Sequence, residues 1–220
     1  MKNLLLPYDT ETTGFPIWQE RSTDERQPHL VQLATKLVCE DYRKTLQGIN
    51  VIIRPEGWVI PEEVSRVHGI TQEMAEDVGI SEKVAVEMFI ELWKKSHCRI
   101  AHNDQFDARI MRIAIYRAFS EDVANDISEK WKAASSYCTA NNSTAIVQCP
   151  PSAKMIAANR RHFKKPNLSE AYKHFTGKEL VGAHNAMVDV NACMEVFWGI
   201  RDHTSKQTLK QPEVEAVINI

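Results

Sequence analysis

Apolar residues stand in short blocks at the start of the chain and in spaced stripes later, a change of period that separates strands from helices. Residues 3–9 (N-L-L-L-P-Y-D) read as a buried strand that runs into a Thr/Gly-rich turn ending at Gly14. After a polar loop up to Pro28, residues 29–39 and 44–54 read as two more strands joined by a short polar turn. Three strands in series predict an antiparallel meander. From Pro61 the spacing lengthens. A short helix at 61–67 stops at His68-Gly69, and Thr71 caps a further turn with Glu73 in its first turn. Residues 81–95 carry Val84, Ala85, Met88, Phe89 and Leu92 on one stripe, with Ser81 as N-cap and Lys94-Lys95 at the other end. A strand at 99–102 leads into a helix from Asp104 to about Phe119, its buried face marked by Phe106, Ile110, Ile113 and Ala114. Residues 120–165 are less regular. A helix at 167–176 ends at Gly177, and an amphipathic helix covers 185–199. The expected fold is α/β, a mixed sheet covered by helices. Residues 1–200 form one domain and 201–220, polar and containing Pro212, a tail.

Composition narrows the function. The chain has 220 residues, 43% hydrophobic and 25% charged, with a net charge of −2, so no global positive field draws it to polyanions. Nucleic-acid binding would have to rest on local charge or on bound cations. Five scattered cysteines without C-x-x-C spacing indicate neither a disulfide framework nor a thiolate zinc site. Lys2 is followed by too few apolar residues for a signal-peptide core, and no run reaches membrane-spanning length. A cytoplasmic protein with no membrane partner is expected.

The chemistry begins at Y-D-T-E-T-T-G, residues 8–14. Residues i and i+2 of a strand face the same way, so Asp9 and Glu11 project together at the carboxyl end of a central strand. Adjacent carboxylates repel unless a proton or cation lies between them. A hard, oxygen-loving ion suits the pair, and a turn device is the plain alternative. In A-H-N-D-Q-F-D, residues 101–107, Asp104 reads as an N-cap and Asp107 as a first-turn acid, solvated or leaning into a site. In G-A-H-N-A-M-V-D, residues 182–189, His184 and Asp189 are about 140° apart on a helix. They can act together only if His184 lies on the loop before the helix and Asp189 inside it.

These words together, D-x-E-T-T-G, H-N-x-x-F-D and H-x-x-x-x-D, with V-H-G-I-T at 67–71, resemble the DEDDh 3′-to-5′ exonucleases, the group of the proofreading epsilon subunit and RNase T. The resemblance runs from about residue 3 to 199, and K-P-x-L at 165–168 is similar to small stand-alone phage-type members. It implies an RNase H-like fold. Asp9, Glu11, Asp107 and Asp189 are then expected to hold two divalent ions, Mg²⁺ or Mn²⁺, with His184 as general base. Thr12, Thr13 and Gly14 are expected to receive the terminal nucleotide, Phe15 to stack on its base or pack under the following loop, and Asn103 and Phe106 to shape the floor. The basic run at 159–166 offers Arg160, Arg161, Lys164 and Lys165 to backbone phosphates, or forms a solvated face.

The substrate expected is nucleic acid with a free 3′ end, DNA favoured and single-stranded or frayed. RNA hydrolysis by the same chemistry and a silent binding module of this fold are the alternatives. Neither G-x-S-x-G nor a P-loop occurs. The loop 16–28 with Trp18, and residues 120–150, fit no motif and are candidates for substrate preference. Alternating apolar residues at 214–220 suggest an edge strand or a docking segment for a polymerase-like or self partner.

Overall fold

The computed structural model describes residues 3–208. Strands β1 (Leu4–Thr12), β2 (Leu30–Cys39) and β3 (Lys44–Ile52) form the antiparallel meander. Three helices follow, α1 (Glu62–His68), α2 (Gln72–Val78) and α3 (Glu82–Trp93). Next come β4 (Cys98–Ala101), α4 (Asp104–Ala118), α5 (Glu121–Ala133), β5 (Ser136–Cys138), α6 (Thr139–Val147), α7 (Ala153–Ala157), α8 (Leu168–Thr176) and α9 (Ala186–Thr208). The sheet order is β3-β2-β1-β4-β5, with β4 parallel to β1 and β5 parallel to β4. β1 is therefore central, which explains its near-continuous apolar run: both faces are covered.

Alternation along β1 divides the core. Leu6 and Tyr8 point to α3 and α4, where Phe89, Ile110, Met111 and Ile113 are buried. Leu5 points the other way, to Cys193, Met194 and Phe197 of α9. Each such side chain contributes roughly 1.5–3 kcal/mol on burial. Trp131 of α5 closes the first layer, its ring 5.7 Å from Tyr8, 5.7 Å from Phe89 and 5.1 Å from Trp93. On the second face α8 lies so close to α9 that a Cβ on Gly199 would fall 2.5 Å from the Phe175 ring.

Several expectations change in detail. The buried stripe of α3 is Ala85, Val86, Phe89, Ile90 and Leu92, whereas Val84 and Met88 are exposed. The helix is rolled toward the sheet so that Val86 and Ile90 take the inner positions. Ser81 precedes α3 without a side-chain cap, while Thr71 does cap α2, accepting the Met74 N–H. Residues 120–165 hold three helices and an edge strand, so the region is ordered rather than irregular. The last helix passes residue 199 and continues to Thr208. The alternating segment at 212–220 lies outside the described residues. All five cysteines are free thiols. Among the described residues no helix is long and apolar enough to cross a membrane.

Candidate active site

A cleft of about 310 Å³ opens at the carboxyl end of β1. It brings together Asp9 and Glu11 from β1, Asp107 from α4, Asp189 from α9, and His184 from the loop before α9. Asp9 and Glu11 share the strand face of Leu5. Asp107 is almost fully buried, and its Oδ1 accepts both the backbone N–H (3.1 Å) and the hydroxyl (2.8 Å) of Thr10. It is thus no solvated first-turn acid. Asp189 accepts the His184 backbone N–H on Oδ2 at 3.0 Å, while its Oδ1 is buried without a hydrogen-bond partner. Gln32 of β2 accepts the Ala186 N–H at 3.2 Å and so ties the start of α9 to the sheet. Ligand atoms of Glu11, His184 and Asp189 lie within 4.8 Å of one another.

Asp104 shows what the sequence could not. It is not the N-cap of α4; Asn103 occupies that position in the left-handed region, at φ 78°. The Asp104 carboxylate is turned inward, accepting the Tyr8 hydroxyl (2.9 Å) and pairing with Arg99 Nε (3.3 Å). His184 is likewise left-handed, at φ 65°. Two non-glycine residues held in this sparsely populated conformation flank one cleft, as befits a site whose geometry is fixed by its surroundings.

Among the described residues no lysine or arginine lines the cleft. Burial pushes Asp9 well above the usual carboxylate range, and the charges of Asp107, Asp189 and Glu11 add to it. Glu11 is raised to about 8 by burial and then by Asp189 and Asp107. Asp107 is raised to about 7 by burial, against the pull of its Thr10 hydrogen bonds. Burial also raises Asp189, offset by the His184 N–H and the His184 ring. Four crowded carboxylates, one with an orphaned buried oxygen and, among the described residues, none with a lysine or arginine in the cleft, suit multivalent cations with oxygen preference.

The remaining expected residues fall into two groups. Thr12, Gly14, Phe15, Asn103 and Phe106 line the cleft. Phe15 is 85% exposed and meets Phe106 edge to face at 6.0 Å, so it is not packed under the loop. Thr13 turns away, its hydroxyl accepting the His29 N–H at 2.8 Å. Arg160, Arg161 and Lys165 are exposed and do not line the cleft, and Lys164 pairs with Glu170. The basic run touches the site only through its end, where the Pro166 carbonyl lies 3.1 Å from His102 Nε2. Val64, Val67 and His68 of α1 form a wall that the motif reading left without a role. Their signal was present: V-S-R-V-H-G, residues 64–69, brings two apolar side chains and one imidazole to a helix end.

Comparison with known proteins agrees with this fold. Escherichia coli exonuclease I in its zinc-bound complex with single-stranded DNA superposes with a TM-score of 0.68 at 19% identity, over 95% of this chain and 42% of that one. The same enzyme with a dT13 oligonucleotide gives 0.69 at 18% identity, over 94% and 42%. A product-bound exonuclease I gives 0.66 at 17%, over 94% and 45%. At this identity the likeness is one of fold, RNase H-like, and the chain spans about two-fifths of the length of exonuclease I. No curated protein matches the sequence. The RNase_T family profile, described as "Exonuclease", matches residues 6–197, nearly the whole folded region, and the chain belongs to that family.

Proposed function

We propose that the protein is a 3′-to-5′ exonuclease that removes nucleoside 5′-monophosphates from single-stranded or frayed DNA. One observation carries the reading: Asp9, Glu11, Asp107 and Asp189, spread over 181 positions of sequence, meet in one cleft beside His184. These four carboxylates would hold two divalent ions, Mg²⁺ or Mn²⁺, which when bound supply Lewis-acid polarisation of the phosphate and of the attacking water.

The chain's own residues do the rest. His184 is exposed at the cleft mouth and its ring takes a proton from the attacking water, which requires the neutral imidazole. The His184 main-chain N–H holds Asp189 Oδ2, so the backbone that carries the base is fixed relative to the carboxylate. Thr10 fixes Asp107 by two hydrogen bonds. Phe15 and Phe106 offer an aromatic corner to the terminal base, with Val64 and Val67 as the apolar wall opposite. Arg160, Arg161, Lys164 and Lys165 would meet phosphates only for a strand that runs beyond the cleft.

The test is a gel series with labelled DNA and RNA oligonucleotides, single- and double-stranded, with free or blocked 3′ ends. Stepwise release of mononucleotides in Mg²⁺ that stops with chelator and with His184→Ala is expected. Indifference to a blocked 3′ end would replace the exonuclease with an endonuclease, and a faster reaction on RNA would reassign the sugar.

A further inference from the structure

A second recess lies on the far side of α4. It has a volume of about 270 Å³ and is framed by Arg109 and Arg112 of α4, Ser128 and Lys132 of α5, and Arg21 of the loop after β1. Four cationic side chains face it against one carboxylate, Glu121. The spacing follows from the helices: 109, 112 and 116 share one face of α4, and 121, 125, 128 and 132 share one face of α5.

Its polar groups are incompletely used. Ser128 is 1% exposed and its hydroxyl has no hydrogen-bond partner. Arg109 is 8% exposed; Nη2 donates to the Glu20 carbonyl, while Nε is buried without a partner. Arg112 is half-buried and forms no ion pair among the described residues. Burial depresses its guanidinium from the ordinary value, Tyr116 opposes this and Arg99 adds to it. Lys132 is engaged by Glu129, and Tyr116 by Asn125. A buried hydroxyl and two guanidiniums without carboxylates, around a space large enough for a tetrahedral anion, lack one ligand. Among the described residues no carboxylate pairs with either guanidinium.

We infer that this recess binds a phosphate group, held by the Arg112 and Arg109 guanidiniums and the Ser128 hydroxyl. Guanidinium forks match phosphate oxygens two at a time, which a lysine-rich surface does not. The phosphate has two possible sources, a phosphodiester of a nucleic-acid strand or the monoester of a free nucleotide. The same loop reaches both sites: Phe15 borders the cleft, the Ile17 and Glu20 carbonyls accept from Arg109, and Arg21 borders the recess. Arg112 and Tyr116 stand about 7 to 14 Å along the α4 axis from Asp107. The strand source rests on the exonuclease reading. Occupancy by phosphate does not.

The experiment is a titration of the full chain in chelator, followed by NMR at the Arg112 side-chain Nε–H and the Ser128 amide. The probes are inorganic phosphate, thymidine 5′-monophosphate, a twelve-residue oligothymidylate and an acidic peptide of equal charge. Phosphate is expected to shift both signals saturably, with Arg112→Gln weakening it about tenfold and Arg112→Lys less. Equal melting temperatures of the variants separate this loss from misfolding. Competition by the oligonucleotide, with a raised KM for it but not for a dinucleotide in Arg112→Gln, assigns the strand. Competition by the mononucleotide alone assigns free nucleotide. Saturation by phosphate in a chain that hydrolyses nothing would leave the recess standing and remove the nuclease. No shift with any phosphate compound, or a response to the peptide alone, overturns the assignment.

Discussion

Asp104 and Asp107 lie three residues apart in the first turn of α4, both buried, and they do opposite things. Asp104 is paired: it accepts from Tyr8 and Arg99, and Arg99 in turn donates to the Trp131 carbonyl at 2.8 Å and lies over the Trp131 ring at 4.4 Å. Asp107 is held by Thr10, and its charge acts on the carboxylates of Asp9 and Glu11. The aromatics repeat the contrast. Tyr8, Phe89 and Trp131 interlock in the core, whereas the exposed Phe15 meets the half-buried Phe106 at the cleft. Buried charge is thus structural where it is neutralised inside the chain and available for chemistry where it is left over.

Substitutions can break this contrast. On the proposed reading, in which Asp107 holds a cation, Asp107→Asn is expected to lower turnover by on the order of 10³-fold. Its melting temperature in chelator should equal or exceed that of the parent, because a repelling charge is gone. A variant that loses activity only because it unfolds would refute the assignment of Asp107 to the unneutralised class.

Asp104→Ala should do the reverse. It leaves Arg99 buried without its carboxylate, a cost of about 3–5 kcal/mol, which corresponds to a fall of roughly 2–4 °C in Tm per kcal/mol. Activity per folded molecule should stay within a few-fold. Denaturant melts and active-site titration together read the two quantities, and an unchanged Tm would show that the pair contributes nothing.

Acidity sharpens the comparison further. In the folded chain without cations Glu11 titrates at about 8 and Asp107 at about 7, both above their ordinary values. Between those values and the ordinary range the folded chain holds protons that the unfolded chain has released. The stability they contribute is complete below about pH 4 and lost as the pH rises through 7 to 8. Thermal melts in chelator should therefore decline from pH 5 to pH 8. On the proposed reading magnesium would replace the protons, and its stabilisation, about 2.7 kcal/mol at 100 times Kd, should be largest at pH 8 and smallest at pH 5. A magnesium effect independent of pH would contradict the crowding of carboxylates.

The smallest effect belongs to the open aromatic pair. Phe15→Ala should leave Tm unchanged, given its exposure, and weaken binding of the terminal base by about 1–3 kcal/mol. A rise in KM without loss of stability is the expected signature, and equal KM values would remove Phe15 from the binding surface.

What the sequence disclosed follows the same division. The β1 block, the meander and the separation of His184 from Asp189 were legible because period and helical angle alone determine them. The roles of Asp104 and Asp107 were not, since both are acids at a helix start and only Tyr8 and Arg99, distant in sequence, distinguish them. The roll of α3 was missed because apolar residues occupy more of its circumference than the sheet can cover. Residues 120–165 hid α5, whose charged surface leaves few buried positions, chiefly Ala124, Ser128 and Trp131.

One backbone angle has a practical consequence. At φ 65° His184 occupies a conformation that glycine adopts freely, and its hydrogen bond to Asp189 is donated by the main chain. The imidazole is therefore detachable from the scaffold. His184→Gly should keep the loop and the Asp189 clasp in place, leaving a vacancy into which dissolved imidazole can diffuse and restore part of the hydrolysis.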